Sequence, residues 1–274
     1  MRNRIDLGDI AVPVAASETI KPKEKVVLSW SGGKDSAMAL YELSRGGRYE
    51  VVGLLTSVAE GYDRVSHHGV RTELLKQQAD AIGLPLEVVY LPVGDDRPCT
   101  NETYEQIMEA VMLRYRDQGV TTVAFGDIFL EDLRAYRERN LARVGMHGVF
   151  PIWKRDTTEL IHSFAELGFA ARVCAVEGKL GPEFVGRLLD REFVAALPAG
   201  IDPCGEYGEF HSFVFDGPVF RRPVPVQLGQ TVLRDTRYYV DLWADDASDG
   251  VDNSERGPNM SASNDWRQPS IPPV

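Results

Sequence analysis

Residues 25–36 read KVVLSWSGGKDS, an apolar run that meets a pair of glycines and then a helical pattern. The run predicts a buried strand over Lys25–Trp30, and the pattern Ser36–Leu43 predicts a helix. Gly32 and Gly33 lack a Cβ, so the backbone between strand and helix can turn sharply and approach a ligand closely. Because the first N–H groups of a helix have no partner within it, this turn is predicted to bind an anion of phosphate size.

The side chains around the glycine pair also fit a phosphate site. Ser31 and Ser36 supply hydroxyl donors, and Lys34 supplies a positive charge. Asp35 would repel a bare phosphate, so its position predicts a Mg²⁺ ion between carboxylate and phosphate. The spacing differs from the Walker A pattern, since Lys34 directly follows the glycine pair. The open alternative is a glycine-rich turn, capped by Ser36, that needs no ligand.

Strand-like and helix-like segments alternate along the first 150 residues. Further strands are predicted at Val51–Ser57, Leu86–Leu91 and Thr121–Phe125, and further helices at Glu73–Ile82, Glu102–Gln118 and Glu131–Val144. Strands joined by helices of ~10–15 residues are typical of a parallel sheet with crossover helices on its faces. We therefore predict an α/β fold of the HUP or Rossmann-like kind, with the glycine loop after its first strand.

The pattern changes near residue 150 and predicts a smaller α+β domain. Its predicted elements are a strand at Val149–Trp153, a helix at Thr157–Glu166, a strand at Ala170–Val176, short helices within Pro182–Leu197, and antiparallel strands at His211–Phe215, Val219–Phe220 and Thr236–Leu242. The predicted domains are a lead-in at 1–24, a nucleotide-binding domain at 25–150, a second domain at 151–244 and a tail at 245–274. The tail is acidic and proline-rich, a composition typical of disorder.

Composition excludes several classes of protein. The chain has 274 residues and a formal net charge of −11, whereas a general binder of nucleic acid or membrane surfaces needs a basic face. No apolar run approaches the ~18 residues of a membrane span. Three cysteines without a C-x-x-C pair argue against a disulfide scaffold and a cysteine-rich zinc module. We expect a cytoplasmic protein that binds neither nucleic acid nor membrane; a homo-oligomer is compatible with the sequence.

The loop SGGKDS resembles the pyrophosphate loop of the ATP pyrophosphatases, and a second motif narrows the resemblance. Residues 204–212 read CGEYGEFHS and resemble the C-terminal signature of the diphthine–ammonia ligase family. Other elements of that family are matched, in order, by Asn101…Tyr104-Glu105, Gly126-Asp127-Ile128 and Pro151-Ile152-Trp153. The resemblance implies that ATP is bound with Mg²⁺ and cleaved between its α and β phosphates. It also implies an acceptor carboxylate that is first adenylated and then amidated by ammonia, with the second domain binding the acceptor.

The resemblance also implies roles for individual residues. The implied catalytic residues are Lys34, Glu206 and Glu209, the two glutamates binding ammonium and accepting its extra proton. The nucleotide would be bound by Ser31, Gly32, Gly33, Lys34, Asp35 and Ser36, with Asp35 on the metal. Apart from the resemblance, Arg71 is predicted to reach a phosphate, because it follows the second strand at the edge where open parallel sheets bind ligands. The acceptor would be bound by Asn101, Tyr104, Glu105, Asp127 and His211. Structural roles are the open alternatives: an acidic or capping turn for the glutamates, a helix N-cap for Asn101, and a solvated helix start for Arg71.

One stretch departs from the family pattern. Relatives that act on diphthine, a modified histidine of translation elongation factor two, show Asp-Tyr-Gln-Arg after the Gly-Asp-Ile turn, whereas this chain has Asp132-Leu133-Arg134-Ala135. A different acceptor pocket is therefore expected. The arginines of this region, which alternate with acidic residues, are predicted to form a solvated helix face: Arg134, Arg137, Arg139 and Arg143.

These observations predict an AMP-forming amide ligase, and two alternatives stay open. One is a sulfur-transfer enzyme that modifies a nucleobase, with Cys204 or Cys99 as sulfur carrier; the unpaired cysteines and acidic charge count against it. For Cys204, the simpler prediction is a small buried residue. The other alternative is a protein that binds ATP without consuming it.

Overall fold

The computed structural model describes residues 22–61, 63–65, 68–92 and 99–244. The predicted tail at 245–274 and nearly all of the lead-in at 1–24 lie outside the described residues. Within the part of the chain that is described, no helix is both long and apolar enough to cross a bilayer.

The first half of the chain forms a parallel sheet with crossover helices, which confirms the predicted α/β fold. Its strands are β1 (Glu24–Ser29), β2 (Tyr49–Ala59), β3 (Leu86–Leu91), β4 (Thr122–Ala124) and β5 (His147–Val149). Its helices are α1 (Lys34–Arg45), α2 (Thr72–Ile82), α3 (Asn101–Asp117) and α4 (Glu131–Arg143). The strands lie side by side in the order β3-β2-β1-β4-β5.

This strand order places the glycine loop at a reversal in the chain path. The chain runs outward from β1 through β2 to β3 and then returns to the other side of β1 as β4 and β5. In open α/β sheets, ligands bind in the crevice outside the carboxyl ends of the strands at such a reversal. Residues 30–33 after β1 and residues 125–130 after β4 flank this crevice.

The two faces of the sheet are covered by different layers. Val26, Val27 and Leu28 of β1 are all 0% exposed, and such a continuous apolar run is typical of a strand buried on both faces. Val27 belongs to an apolar cluster with Met112 of α3 on one face. On the other face, Leu28 belongs to a larger cluster that includes Leu74 of α2.

The second half of the chain packs on the face that carries α2. It contains α5 (Thr157–Glu166), α6 (Arg191–Ala196) and an antiparallel sheet formed by β6 (Ala170–Glu177), β7 (Phe210–Asp216), β8 (Val226–Arg234) and β9 (Arg237–Ala244). The strand order is β7-β6-β9-β8. Phe213 and Val214 of β7 belong to the same apolar cluster as Leu28 of β1. The two sheets therefore share one core, and β7 lies beside the glycine loop.

Two strand predictions in the second half differ from the structure, and one strand was not predicted. The strand expected at Val149–Trp153 occurs as His147–Val149, and the chain turns immediately afterwards. Val219–Phe220 lies outside the strands, next to a turn in which the N–H of Phe220 donates to the carbonyl of Gly217. The strand β8 was not predicted, because it lies at the sheet edge and most of its side chains are exposed, which removes the alternation of apolar and polar residues.

Candidate functional site

The glycine loop begins α1 without a side-chain cap. Gly33 is the N-cap residue and, as a glycine, it supplies no side-chain cap of its own. The Ser36 hydroxyl instead donates to the Gly33 carbonyl at 2.9 Å, which closes the turn. Gly32 has φ of +77°, in the left-handed region that favours glycine. The positive end of the α1 dipole therefore opens toward the crevice.

Lys34 and Asp35 form an ion pair at this helix start. Lys34 is 4% exposed, and its Nζ lies 2.8 Å from Oδ2 of Asp35. Burial is the largest single influence and disfavours the ammonium form, but the charge of Asp35, its hydrogen bond and the nearby acidic groups together outweigh burial, so the pKa of Lys34 lies above its ordinary value. Burial raises the pKa of Asp35 against the opposing pull of Lys34. Among the described residues Oδ1 of Asp35 has no hydrogen-bond partner although it is buried.

Strand β7 of the second sheet holds the loop in place. The backbone N–H of Lys34 donates to the Ser212 hydroxyl at 3.1 Å, and the N–H of Val214 donates to the Gly32 carbonyl at 2.9 Å. Gln78 of α2, which is 0% exposed, donates to the carbonyls of Gly32 and Val214 and accepts from the Trp30 indole at 3.0 Å. The loop is therefore held by two elements, β7 and α2.

Glu206 faces the same crevice from the turn that precedes β7. Its Oε1 accepts from the backbone N–H groups of Ile128 at 2.9 Å and Phe129 at 3.3 Å. Burial is the main reason that the pKa of Glu206 is raised to about 7, and the nearby charge of Asp35 raises it further. Such a carboxyl can hold or release a proton near neutral pH.

These groups line one cleft of about 190 Å³ between the two sheets. Its polar lining includes half of the predicted site residues, namely Ser31, Lys34, Asp35, Ser36, Asp127, Glu206 and His211. Ser212 and His68, which the sequence analysis did not select, also line it. No cluster of three or more His, Cys, Asp or Glu side chains suited to a metal occurs in the described residues.

Glu209 does not share the position of Glu206. It is 3% exposed, and its two oxygens accept from the backbone N–H groups of Asp202 at 3.2 Å and Tyr207 at 3.0 Å. Among the described residues, Glu209 does not line the cleft. This placement favours the alternative of a carboxylate that organises its own turn, and the catalytic role of Glu209 stays a prediction.

Arg137 corrects the prediction of a solvated arginine face on α4. Arg137 is 7% exposed, and it forms a bidentate ion pair with Asp127, with nitrogen–oxygen distances of 2.7 and 3.2 Å. Its guanidinium also lies 4.3 Å from the centre of the Phe125 ring. Asp127 thus lines the cleft with both oxygens engaged by Arg137, which makes it part of the cleft wall.

Arg71 was predicted to reach a phosphate, and the structure places it elsewhere. Its Nε and Nη2 donate to the carboxylate of Asp241 at 3.1 and 2.7 Å. The guanidinium lies 3.5 Å from the centre of the Trp243 ring on β9. Arg71 is not among the cleft-lining residues of the described chain.

The predicted acceptor residues of α3 lie beside the cleft instead of in it. Thr100 caps the helix by accepting from the Thr103 N–H at 3.2 Å, so the N-cap alternative for Asn101 is wrong and Asn101 is an exposed first residue. Tyr104 and Glu105 line a separate cavity of about 60 Å³ between α3 and α4. This cavity and the cleft share three lining residues, Ser29, Phe125 and Arg137.

Comparison with known proteins assigns the chain to a family. Residues 24–148 match the model of the diphthamide synthase N-terminal domain, and residues 156–244 match that of the diphthamide synthase C-terminal domain. The chain belongs to the diphthamide synthase family. The resemblance read from the SGGKDS and CGEYGEFHS motifs is thereby confirmed.

Curated members of the family are similar over most of their length. A diphthine–ammonia ligase from Homo sapiens is 25% identical over 227 residues, which cover 74% of this chain and 83% of that protein. One from Danio rerio is 24% identical over 227 residues, which cover 76% and 89%. Among solved structures, a U34-tRNA thiolase from Methanococcus maripaludis matches with a TM-score of 0.36 and 16% identity, covering 55% of this chain and 59% of the thiolase.

The stretch that departs from the diphthamide synthase relatives lies at the mouth of the cleft. Leu133 lines the cleft, whereas Arg134 turns outward and its guanidinium lies 4.7 Å from the ring centres of Phe150 and Trp153. Arg134 also pairs with Glu138 at 2.8 Å. Leu133 therefore contributes an apolar side chain to the cleft wall, and the expectation of a different acceptor pocket stays a prediction.

Proposed function

We propose that this chain is an AMP-forming ligase that adenylates an acceptor carboxylate and amidates it with ammonia. The observation that carries the proposal is the meeting of two features in one cleft: the open start of α1 with Lys34 and Asp35, and Glu206 with a pKa of about 7. The curated relatives are named diphthine–ammonia ligases, which supports the same chemistry.

In the first half-reaction the loop binds the β and γ phosphates of ATP. An oxygen of the acceptor carboxylate attacks the α phosphorus, a new P–O bond forms, and the bond to the β phosphate breaks. Negative charge grows on the departing pyrophosphate. The Lys34 ammonium and the N-terminal dipole of α1 stabilise that charge. Hydrogen bonds with Ser212, Val214 and Gln78 position the backbone of the loop, and Asp35 pairs with the ammonium.

A Mg²⁺ ion fits this site through Asp35. The buried Oδ1 of Asp35 has no protein partner among the described residues, so it is the oxygen suited to a cation. Mg²⁺ usually takes one or two carboxylates and completes its shell with phosphate and water, which agrees with a site that offers a single carboxylate. When bound, the ion would neutralise part of the charge on the phosphates.

In the second half-reaction ammonia attacks the carbonyl carbon of the acyl-adenylate. A C–N bond forms, the C–O bond to the phosphate of AMP breaks, and AMP leaves with the bonding electrons. Glu206 accepts the proton that the nitrogen must lose. Its pKa of about 7 suits this role, because the carboxylate is available near neutral pH and is basic enough to take the proton.

The buried cysteines disfavour the sulfur-transfer alternative. All three cysteines of the chain are buried, and burial raises the pKa of each thiol. The Sγ of Cys204 donates to the Thr157 carbonyl at 3.2 Å. Since the thiolate is the reactive form, none of these thiols is suited to carry sulfur in the described structure.

Isotope-labelled ammonium tests the proposal. The full chain is incubated with ATP, Mg²⁺ and ¹⁵N-ammonium, in one arm with diphthine-bearing elongation factor two and in another with a deproteinised metabolite extract. ATP-dependent transfer of ¹⁵N into an amide, found by mass spectrometry and abolished by Lys34→Met, is the expected result. Labelled amide that forms equally well without ATP would contradict it, as would label from ³⁴S-sulfide entering a nucleobase. ATP that binds and stays intact in both arms would favour the non-catalytic alternative.

A further inference from the structure

The described residues 63–65 and 68–71, a segment between β2 and α2, contact both the glycine loop and the second sheet. His68, near its end, lines the cleft. Its ring lies against the loop, since a Cβ on Gly33 would be only 2.8 Å from His68 Cε1. Its Nδ1 is 3.1 Å from the Ser212 carbonyl, and its ring centre is 4.6 Å from that of His211. The imidazole is thus held between the predicted phosphate loop and β7.

A buried carboxylate of the second sheet holds this segment. Asp241 on β9 is 7% exposed and accepts from Arg64 at 2.9 Å and from Arg71 at 2.7 and 3.1 Å. These two arginines flank His68 in sequence. Gly69 packs directly on β9, since a Cβ there would lie 2.8 Å from the Tyr239 ring. The segment is therefore fastened to β9 on both sides of His68.

We propose that His68 contacts the phosphates of the bound nucleotide and that Asp241 is the positioning residue that places it. This inference rests on the proposed function, since it assigns His68 to the pyrophosphate part of the ATP site. A carbonyl oxygen only accepts, so the Ser212 carbonyl fixes a proton on Nδ1 of His68. Because the ring lines the cleft beside the loop, Nε2 is the nitrogen that we assign to a phosphate oxygen, to which it would donate when both ring nitrogens carry a proton.

The structure explains why the placement needs a charge from β9. Two guanidinium groups converge on Asp241, and with a neutral side chain there they would repel each other inside a poorly solvated contact. The end of the segment that carries His68 would then be released from β9. Asp241 itself is absent from the lining of the cleft in the described residues, so its effect on phosphate binding must pass through the segment.

Equilibrium binding of inorganic pyrophosphate and of AMP to the full chain tests the proposal. His68→Ala is expected to weaken pyrophosphate binding about tenfold or more, as the loss of a charge-assisted hydrogen bond implies, and to change AMP binding less than about twofold. Asp241→Asn is expected to act in the same direction. If Asp241 works through His68, the double variant binds pyrophosphate as weakly as His68→Ala alone, whereas independent effects would multiply. Glu166→Gln, which removes a carboxylate from an exposed ion pair of the second half, is the control.

Each outcome decides the proposal. Pyrophosphate affinity unchanged in His68→Ala overturns the contact, and multiplied effects in the double variant overturn the positioning role. Where Asp241→Asn fails to fold, Arg71→Gln replaces it, because that variant keeps the pair between Arg64 and Asp241. A wild-type chain that binds neither pyrophosphate nor ATP would instead refute the proposed function, so the two failures are distinguishable.

Discussion

Replacing Glu206 by glutamine should make the protein more stable at neutral pH while removing its activity. In the folded chain the pKa of Glu206 is raised from 4.5 to about 7, chiefly by burial and then by the charge of Asp35. A difference of about 2.5 pH units corresponds to about 3 kcal/mol, which is an upper bound for a group that retains some contact with water.

The direction in which stability changes with pH follows from proton binding. Between pH 4.5 and 7 the folded state holds a proton on Glu206 that the unfolded state has lost, so the wild type loses stability as the pH rises through this window. The glutamine that replaces Glu206 would carry no charge at any pH, and its oxygen can still accept from the backbone N–H groups of Ile128 and Phe129. The two proteins should therefore be equally stable below pH 4.5, and the variant should gain about 1–3 kcal/mol by pH 8.

Chemical denaturation at a series of pH values between about 4 and 8 measures this difference. Glu50→Gln is the matched control, since Glu50 is exposed at the amino end of β2, opposite the cleft, and loses the same charge. A stability difference between Glu206→Gln and wild type that does not change with pH would refute the burial argument. So would a wild type that is the more stable protein at the alkaline end of the series.

Three further substitutions test separate parts of the site. Lys34→Met should weaken ATP binding at least tenfold in an equilibrium titration, because a charge-assisted hydrogen bond to phosphate contributes about 1.5–3 kcal/mol. An unchanged affinity for ATP would mean that the phosphates bind elsewhere. Gly32→Ala should lower the free energy of unfolding by about 2 kcal/mol or more, because φ is +77° and the new Cβ would lie 2.7 Å from Oε1 of Gln78. Gly47→Ala is the control: its φ is +67°, no atom lies near the new Cβ, and the free energy of unfolding should fall by only about 1 kcal/mol. Glu209→Gln should lower the free energy of unfolding by about 1–2 kcal/mol and leave nucleotide affinity unchanged, since the hydrogen bonds of the Glu209 oxygens go to nearby backbone. Full stability with loss of amide formation would instead support a catalytic role for Glu209.

The position of the glycine loop could be predicted from sequence because its signal is local. A buried strand, two glycines and a helix start are adjacent in the chain, and β1 and α1 formed where the pattern predicted them. The family motifs placed Glu206 and His211 near the loop, although about 170 residues separate them from it. Propensity and periodicity alone would have left that second part of the cleft unassigned.

What could not be predicted depends on contacts between distant elements. Glu206 and Glu209 belong to one short motif, but Gly208 between them has φ of +84°, and the chain turns so that only Glu206 faces the cleft. Arg137 looked like part of a solvated face, because the helix pattern does not reveal that Asp127 lies beneath it. Gln78 could have been found from the helical pattern of α2, because it is a polar residue on the buried face of that helix and such residues need a hydrogen-bond partner.

The nucleotide products test the central claim most directly, because they show which bond of ATP is broken. ATP labelled at the α phosphorus is incubated with the full chain, Mg²⁺, ammonium and diphthine-bearing elongation factor two or metabolite extract, and the products are separated. We predict labelled AMP and an equal amount of pyrophosphate, with neither formed by Lys34→Met. Labelled ADP with inorganic phosphate as the enzyme-dependent products would contradict the account.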